Sequence, residues 1–521
     1  MNLIRAATTV GGFTLLSRIT GFIRDLAMAR FLGAGLAADA FLVAFRLPNL
    51  FRSLFAEGAF SAAFVPMAAN RLEEENGRAK ARRLAEEALA FLLPILVGFT
   101  ALVMLLAGPI VFLMTGGFKD APPEKLSLAI ELTRLTFPYL MLISLVSLLG
   151  GLMNAIGRFA VPAAAPILLN LCLVAALFLF RGDSSLDTAR ALAAAVSVAG
   201  ILQFLFLFRG AYSQGLAPRL TLPRLSPEVR TLLRRIGPAA IGAGATQFNL
   251  LVSTVIAARF LPEGSVSFLY YADRLNQLPL GMIGVGMGVA LLPTLSRLLG
   301  AGRADAAMHQ QNRALEFALF LAVPAATALV VAAHPIITAL FQHGRFTESD
   351  ARMAAYALSA FALGLPAYVL VKVLTPGFHA RGDTRTPMRY ALIAIAANLV
   401  GNLVLVWPFQ HVGIALATAG SAWLNVVLLG LGLARRGELR LDDALRRALP
   451  RMLAAAALMA LALAFLSPLA LTLAAGSGVQ RLGAILLLLV PGGVLYLGVG
   501  MLIGAWRPAA LVAALRRSAQ A

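Results

Sequence analysis

Arginine side chains stand inside stretches of this sequence that are otherwise apolar. Arg18 and Arg24 both lie in the stretch 9–32, roughly 9 Å apart along a helix that rises 1.5 Å per residue. A guanidinium group forms paired hydrogen bonds with a carboxylate or a phosphate, so the pattern predicts a site for an anion such as a diphosphate. The candidate binding residues are Arg18, Arg24, Arg52 and Arg274, accompanied by Ser17, Asp25, Asp39, Glu57, Tyr270 and Asp273.

Carboxylates near these arginines allow a second interpretation. Arg18 and Asp25 are seven residues apart and share a helix face, and Asp273 directly precedes Arg274. Such pairs could neutralise each other as locks between helices, because a lone charge inside a membrane costs at least ~2.5–3.5 kcal/mol. The carboxylates are too few to pair every arginine, so a positive surplus remains. The best anion ligands are then Arg24, Arg52 and Arg274.

Neutral oxygen atoms form a weaker pattern near the carboxyl-terminal part of the chain. Asn398 and Asn402 are one helical turn apart, and Thr418 lies in the next apolar stretch. Amide and hydroxyl oxygens could bind a small cation such as Na⁺. Hydrogen bonding between neighbouring helices is the favoured interpretation.

Residues typical of catalysis or tight metal binding are sparse. The five histidines form no HExxH pair, no GxxxxGK[ST] segment is present, and the single cysteine, Cys172, excludes disulfides. A transferase would need paired carboxylates in an aqueous loop, and the loops are short and poor in them. We therefore predict no catalytic residue, no metal site and no cofactor, and a protein that is not an enzyme.

The composition requires a membrane environment. The chain has 521 residues, of which 60% are hydrophobic and 13% charged, whereas a soluble domain is about one quarter charged. Apolar runs long enough to cross roughly 30 Å of hydrocarbon recur throughout. The predicted fold is an all-α polytopic membrane protein. About fourteen spans are predicted: 9–32, 40–69, 88–114, 128–154, 161–180, 190–208, 237–261, 267–296, 314–341, 353–380, 387–407, 411–434, 449–473 and 482–505.

The distribution of basic residues predicts the orientation of these spans. The net charge of +20 would suggest nucleic acid in a soluble protein, but here Lys and Arg concentrate in alternate loops, which is the pattern of cytoplasmic loops. The heaviest are 71–83, 209–235 and 435–451, whereas 33–38, 262–266 and 408–411 contain no Lys or Arg. We predict cytoplasmic termini and no nucleic-acid partner.

Two sequence marks recur at nearly the same displacement. Arg46-Leu47 reappears as Arg274-Leu275, and the motif Ala-x-Gly-x4-Pro occurs at 155–162 and again at 380–387. Internal repeats are common in transporters. They predict two pseudo-symmetric six-helix bundles, 1–225 and 226–450, followed by two extra helices in 451–521. The charges fall in the first two spans of each half, so we expect a cationic central cavity lined by spans 1, 2, 7 and 8.

Ordered motifs along nearly the whole chain resemble the MurJ/MviN family of lipid II flippases, within the multidrug/oligosaccharidyl-lipid/polysaccharide exporter superfamily. The segments that carry the resemblance are Ser17-Arg18-x-x-Gly21-Phe22-x-Arg24-Asp25, Gly33-Ala34-Gly35, Asp39-Ala40-Phe41, Leu47-Pro48-Asn49-Leu50, Phe55-Ala56-Glu57-Gly58-Ala59-Phe60, Tyr270-Tyr271-Ala272-Asp273-Arg274-Leu275 and Pro376-Gly377-Phe378.

The resemblance implies a function in peptidoglycan synthesis. Such a flippase moves lipid II, an undecaprenyl-diphosphate-linked disaccharide-pentapeptide, from the cytoplasmic to the periplasmic leaflet of the bacterial inner membrane by alternating access. It implies that Arg18, Arg24, Arg52 and Arg274 are essential cavity residues and that Asp39 and Glu57 are important. It also implies a groove for the lipid tail in spans 13 and 14. Lipid II and membrane lipids are the expected partners of a protein that acts as a monomer.

Two positions depart from some relatives. Ser253 stands where those relatives have an acidic residue in a sodium site with the span 11 pair, which weakens the case for such a site of Ser253, Asn398, Asn402 and Thr418. Gln277 likewise replaces an acidic residue. Na⁺, H⁺ and the membrane potential all remain open as driving forces. Rival functions are an exporter of another polyprenyl-linked oligosaccharide and, less favoured, a membrane-embedded transferase acting on such a lipid.

Overall fold

The computed structural model describes residues 3–52, 59–118 and 121–505, and these residues form eighteen helices and no strand. The first nine are α1 Leu3–Leu32, α2 Leu36–Arg52, α3 Ala59–Leu72, α4 Gly77–Leu105, α5 Ala107–Thr115, α6 Pro123–Thr136, α7 Pro138–Ala155, α8 Ala160–Leu179 and α9 Ser185–Ser213. The others are α10 Pro227–Phe260, α11 Ser265–Gly300, α12 Ala304–Val331, α13 Ala333–Phe341, α14 Glu348–Ala362, α15 Leu365–His379, α16 Arg385–Arg435, α17 Asp443–Ala474 and α18 Gly478–Leu502.

The all-α class is confirmed, and the helices follow the predicted spans closely. Some spans consist of two helices in succession, such as α6 and α7, which meet where Pro138 begins α7. Proline lacks a backbone N–H and therefore favours a helix start. Among the described residues, nine helical segments are long and apolar enough to cross a membrane, judged by length and composition. The chain is a multi-pass membrane protein, and the total of fourteen spans stays a prediction.

The long stretch α16 contains a reversal of direction. Gln410 has a φ of 50° and a ψ of −131°, which no helix accommodates. The residues before and after it run antiparallel and in close contact, because Gly401 lies against Ala417 and Gly413 against the carbonyl oxygen of Leu405. The predicted spans 387–407 and 411–434 are therefore the two arms of a helical hairpin.

The chain divides into two compact units. The first comprises the residues up to Ser267 together with His343–Phe346, and the second comprises Phe268–Gln342 and Thr347–Ala521. Helix α10 packs against α3 in the first unit, where Leu232 joins the buried cluster around Phe64 and Leu84. The second unit has its own cluster, which includes Leu315, Val373, Phe378, Leu433 and Leu445. The units describe packing rather than repetition, so the repeat boundaries at 225 and 450 stay predictions.

The connection between α15 and α16 is fixed by a polar clasp outside the predicted spans. Asp383 accepts hydrogen bonds from the Thr386 backbone N–H at 2.9 Å and from Nη1 of Arg436 at 2.8 Å. These donors favour the ionised carboxylate, and the bonds from Thr386 lower the pKa of Asp383 well below its ordinary value. The clasp ties the start of α16 to its end.

Candidate functional site

Arg24 and Asp25 form a buried ion pair on α1. Nη2 and Nε of Arg24 lie 2.7 Å and 3.0 Å from Oδ1 of Asp25, and the two side chains are only 12% and 3% exposed. Separating such a pair would leave one charge buried without compensation. The two residues therefore act as a single, formally neutral group in this structure.

Asn170 of α8 holds Arg24 from the other side. Its Oδ1 accepts from Nη1 of Arg24 at 2.9 Å, while its Nδ2 donates to the Ser17 carbonyl oxygen at 3.0 Å and to Thr20 Oγ1 at 3.3 Å. Gly21 leaves room for this amide, since a Cβ there would lie 3.3 Å from Nδ2. One side chain thus joins α1 to α8 and fixes the direction of the guanidinium. Ser17 takes part through its backbone.

Arg18 lies on an exposed face of α1. The second interpretation paired Arg18 with Asp25, whereas in the structure Asp25 binds the guanidinium of Arg24. Seven residues correspond to about 10.5 Å along a helix axis, whereas Arg24 is adjacent in the chain. The exposed Arg18 keeps its predicted role as an anion ligand, still untested.

Asp39 occupies a buried cluster that joins three parts of the first unit. Its Oδ2 accepts from Nζ of Lys125 at 2.9 Å and from the Gly264 N–H at 2.8 Å. Its Oδ1 accepts from the Ser267 N–H at 3.0 Å and from Ser267 Oγ at 2.7 Å. The carboxylate therefore caps the amino terminus of α11, where free N–H groups and the helix dipole favour a negative charge.

The same cluster explains how Lys125 can be buried. Its ammonium group lies 2.9 Å from Asp39 and 4.7 Å from the centre of the Phe118 ring, and its side chain is 3% exposed. An ion pair and an aromatic face together replace the lost water. Asp39, predicted to contact substrate, binds protein groups through both oxygens here.

Arg52 stands at the end of α2, beside a cavity inside the first unit. Its Nε donates to Oδ1 of Asn49 at 3.0 Å, one turn earlier. The cavity has a volume of about 160 Å³ and is bordered by residues of α2, α3, α7, α8 and α9. Glu57, the other acidic residue predicted for the site, lies outside the described residues.

The candidate residues on α11 form a compact group in the second unit. The guanidinium of Arg274 lies 4.7 Å from the centre of the Tyr270 ring, and Gln277 donates a hydrogen bond to Asp273. A guanidinium over an aromatic face is held by a cation–π interaction, which fixes the plane of the group. Tyr270 therefore orients Arg274.

Three residues of the predicted cation site meet within the second unit. In the α16 hairpin, Asn402 Nδ2 donates to Asn398 Oδ1 at 3.1 Å, and Asn398 Nδ2 donates to Thr418 Oγ1 at 3.2 Å. Both asparagines are almost completely buried. Ser253 belongs to the first unit, where its hydroxyl donates to the Asn249 carbonyl oxygen. One bond lies within an arm of the hairpin and the other joins the two arms, and the cation site stays a prediction.

Two contributors to these clusters were not predicted from the sequence. Asn170 could have been found as a lone amide inside the apolar span 161–180, although nothing in the sequence pairs it with Arg24. Lys125 lies just before a predicted span and resembles an ordinary loop lysine until the fold places it beside Asp39.

Comparison with known proteins identifies the family. The family model described as lipid II flippase MurJ matches residues 28–483. A probable lipid II flippase MurJ of Rhizobium tropici is 44% identical over 471 residues, covering 90% of this chain and 87% of the relative.

Solved structures show the same fold. A lipid II flippase MurJ in an inward closed conformation has a TM-score of 0.77 at 23% identity, with 95% of this chain and 98% of that one covered. An inward-facing multidrug resistance MATE family transporter of the MOP superfamily has a TM-score of 0.65 at 15% identity, with 82% and 98% covered. With its predicted motifs in place on α1, α2 and α11, the chain belongs to the MurJ family of lipid II flippases.

Proposed function

We propose that this protein carries lipid II across the bacterial inner membrane, from the cytoplasmic to the periplasmic leaflet, by alternating access. The observation that carries the proposal is the family match over residues 28–483, a range that includes Arg52 on α2 and Arg274 on α11. The name of the matching family indicates lipid II as the cargo. The arginines supply the chemistry that a diphosphate requires.

The guanidinium groups bind the diphosphate by charge and by paired hydrogen bonds. Arg274 is already oriented by the Tyr270 ring and Arg52 by Asn49, so little side-chain freedom is lost when an anion arrives. Arg24 is shared with Asp25 and Asn170 and needs only to exchange one partner for a phosphate oxygen. No covalent step is required.

The lipid tail remains in the membrane beside the last two helices. Large apolar side chains on α17 and α18 are exposed, among them Phe465 at 84% and Leu502 at 87%. Apolar surface of this kind is stable only in contact with lipid. It supports the predicted groove for the polyprenyl chain. The inner-membrane location with both termini in the cytoplasm rests instead on the basic residues of alternate loops.

The test is transport of lipid II by the purified protein in proteoliposomes. We expect Arg24→Ala, Arg52→Ala and Arg274→Ala each to reduce the rate about tenfold or more, since a hydrogen bond to a charged group contributes about 1.5–3 kcal/mol. Arg83→Ala is the matched control, because the Arg83 side chain is 79% exposed in a predicted cytoplasmic loop.

Each outcome has a definite meaning. Normal transport by the folded Arg24, Arg52 and Arg274 variants would make these residues structural rather than ligands. A wild-type protein that moves another polyprenyl-linked oligosaccharide but not lipid II would show that the cargo is wrong. Imposed Na⁺, H⁺ and voltage gradients, applied one at a time, identify the driving force.

A further inference from the structure

We propose that the cavity inside the first unit is a subsite for an uncharged hydrogen-bond donor of the cargo head group, with Gln203 as its acceptor. The inference rests on the proposed function and deepens it. It assigns a place to the sugar-peptide part of the substrate, as distinct from the diphosphate.

Gln203 is the group in the cavity that calls for a ligand. It is 1% exposed, and its Nε2 donates to the Ala165 carbonyl oxygen at 2.7 Å, which fixes the amide. Within the described part of the chain, no donor reaches its Oε1. A buried polar atom without a partner costs about 1–3 kcal/mol, so its retention in an apolar helix indicates that something else supplies the donor.

The cavity has the right size and polarity for a small neutral group. At about 160 Å³ it is comparable to an engineered cavity of about 150 Å³ in another protein that accepts benzene. Ser147 and Asn154 add polar atoms to a lining that is otherwise largely apolar. The Ser147 hydroxyl already donates to the Ile143 carbonyl oxygen at 2.7 Å, so it offers an incoming group an acceptor. Hydroxyls of the disaccharide and amide N–H groups of the peptide match this environment.

Charge selects which part of the head group enters. Among the lining residues that the structure describes, Arg52 alone is charged, and it favours the diphosphate. A phosphate oxygen beside Gln203 would be repelled, because both it and Oε1 of Gln203 are hydrogen-bond acceptors. An ammonium group in the cavity would be repelled by the positive charge of Arg52. A neutral donor avoids both conflicts. The cavity and Arg52 therefore discriminate between the two chemical parts of one substrate.

The position of the cavity along the helices suits loading from the cytoplasm. The lining runs along α7 from Tyr139 to Asn154, and its outermost residues are Asn154 near the end of α7, Pro162 at the start of α8 and Leu207 towards the end of α9. All three positions are at the end of the helices where the connection 156–159 joins α7 to α8, and the predicted orientation puts that connection in the cytoplasm.

The experiment compares binding of lipid II and of undecaprenyl diphosphate to the full-length protein in nanodiscs. Gln203→Leu removes the acceptor at similar volume, and Ala165→Leu fills the cavity while leaving Gln203 in place. Gln214→Leu, at the residue that directly follows the same helix, is the matched control. Thermal unfolding checks that each variant is folded.

We expect wild type and Gln214→Leu to prefer lipid II over undecaprenyl diphosphate. In Gln203→Leu and Ala165→Leu this preference should fall about fivefold to tenfold, the size expected for one hydrogen bond, with undecaprenyl diphosphate binding unchanged. An unchanged preference in either folded variant overturns the subsite, as does equal binding of both lipids by wild type, although the proposed function would stand. Binding of neither lipid by wild type would remove the proposed function and the subsite together.

Discussion

At the scale of the residue, the contacts around a charged side chain indicate whether it joins helices or binds an anion. The residue type alone does not distinguish these two roles. Asp39 and Lys125 are enclosed by donors, an aromatic ring and each other. Arg274 rests on an aromatic face, with N–H groups along the edge of its plane. The first arrangement holds helices together, whereas the aromatic face in the second orients a guanidinium that we propose binds an anion.

We predict that Asp39→Asn destabilises the protein more than Lys125→Met. Loss of the carboxylate leaves the ammonium group of Lys125 buried without its counter-charge, whereas Asp39 without Lys125 still accepts from Gly264 and Ser267. Breaking a buried ion pair costs about 3–5 kcal/mol, so the first substitution should approach that range. Unfolding of the two single variants in detergent measures both losses of stability, and the double variant measures how far the two losses depend on each other. Strictly additive losses would show that the two charges do not interact.

The Asp383 clasp predicts a defined pH dependence. Because its folded pKa is depressed below the ordinary value of 3.8, the ionised carboxylate stabilises the native state above that value and loses this effect as the pH falls further. We expect wild type to melt at a higher temperature than Asp383→Asn at pH 7, with the difference shrinking only below about pH 4. A difference that vanished between pH 7 and pH 5 would contradict the assignment.

At the scale of the element, the α16 hairpin depends on close backbone approach. A Cβ on Gly413 would lie 2.1 Å from the carbonyl oxygen of Leu405, while one on Gly420, on the same arm, would meet nothing within 4 Å. We predict that Gly413→Ala lowers the stability by about 2 kcal/mol or more through backbone strain, whereas Gly420→Ala is neutral or slightly stabilising because alanine favours helix. Thermal unfolding of the two variants tests this difference. Equal melting temperatures would show that the two arms can move apart to accommodate the added methyl group without loss of stability.

The sequence predicts a helix well where a long apolar run forms it. It predicts the ends and breaks of helices less well, because these depend on local backbone geometry. The spans 387–407 and 411–434 were separated correctly because Pro408 and the polar residues after it interrupt the run. The breaks inside spans, such as that at Pro138, leave hydrophobicity unchanged and were not predicted. Among the site residues, Arg24 and Asp39 were found as charges in apolar surroundings. Their partners were not, because Asn170 is 146 residues from Arg24 and Gly264 contributes only backbone.

At the scale of the whole molecule, the predicted orientation can be tested by labelling. In a background with Cys172→Ala, Val479→Cys probes the connection between α17 and α18, and Arg440→Cys probes the basic stretch before α17. Both positions are exposed. We expect a membrane-impermeant maleimide added to spheroplasts to label residue 479 and to reach residue 440 only after the membrane is opened. Labelling in the reverse order would invert the topology.

The buried ion pairs Arg24–Asp25 and Lys125–Asp39 have a consequence for the energetics of transport across a charged membrane. An elementary charge moved through 100 mV exchanges about 2.3 kcal/mol of electrical work with the field. A positive and a negative charge displaced together exchange almost none. These pairs can therefore shift with their helices without working against the voltage. The electrical work of a transport cycle then falls on the anionic cargo and on charges that no such partner accompanies.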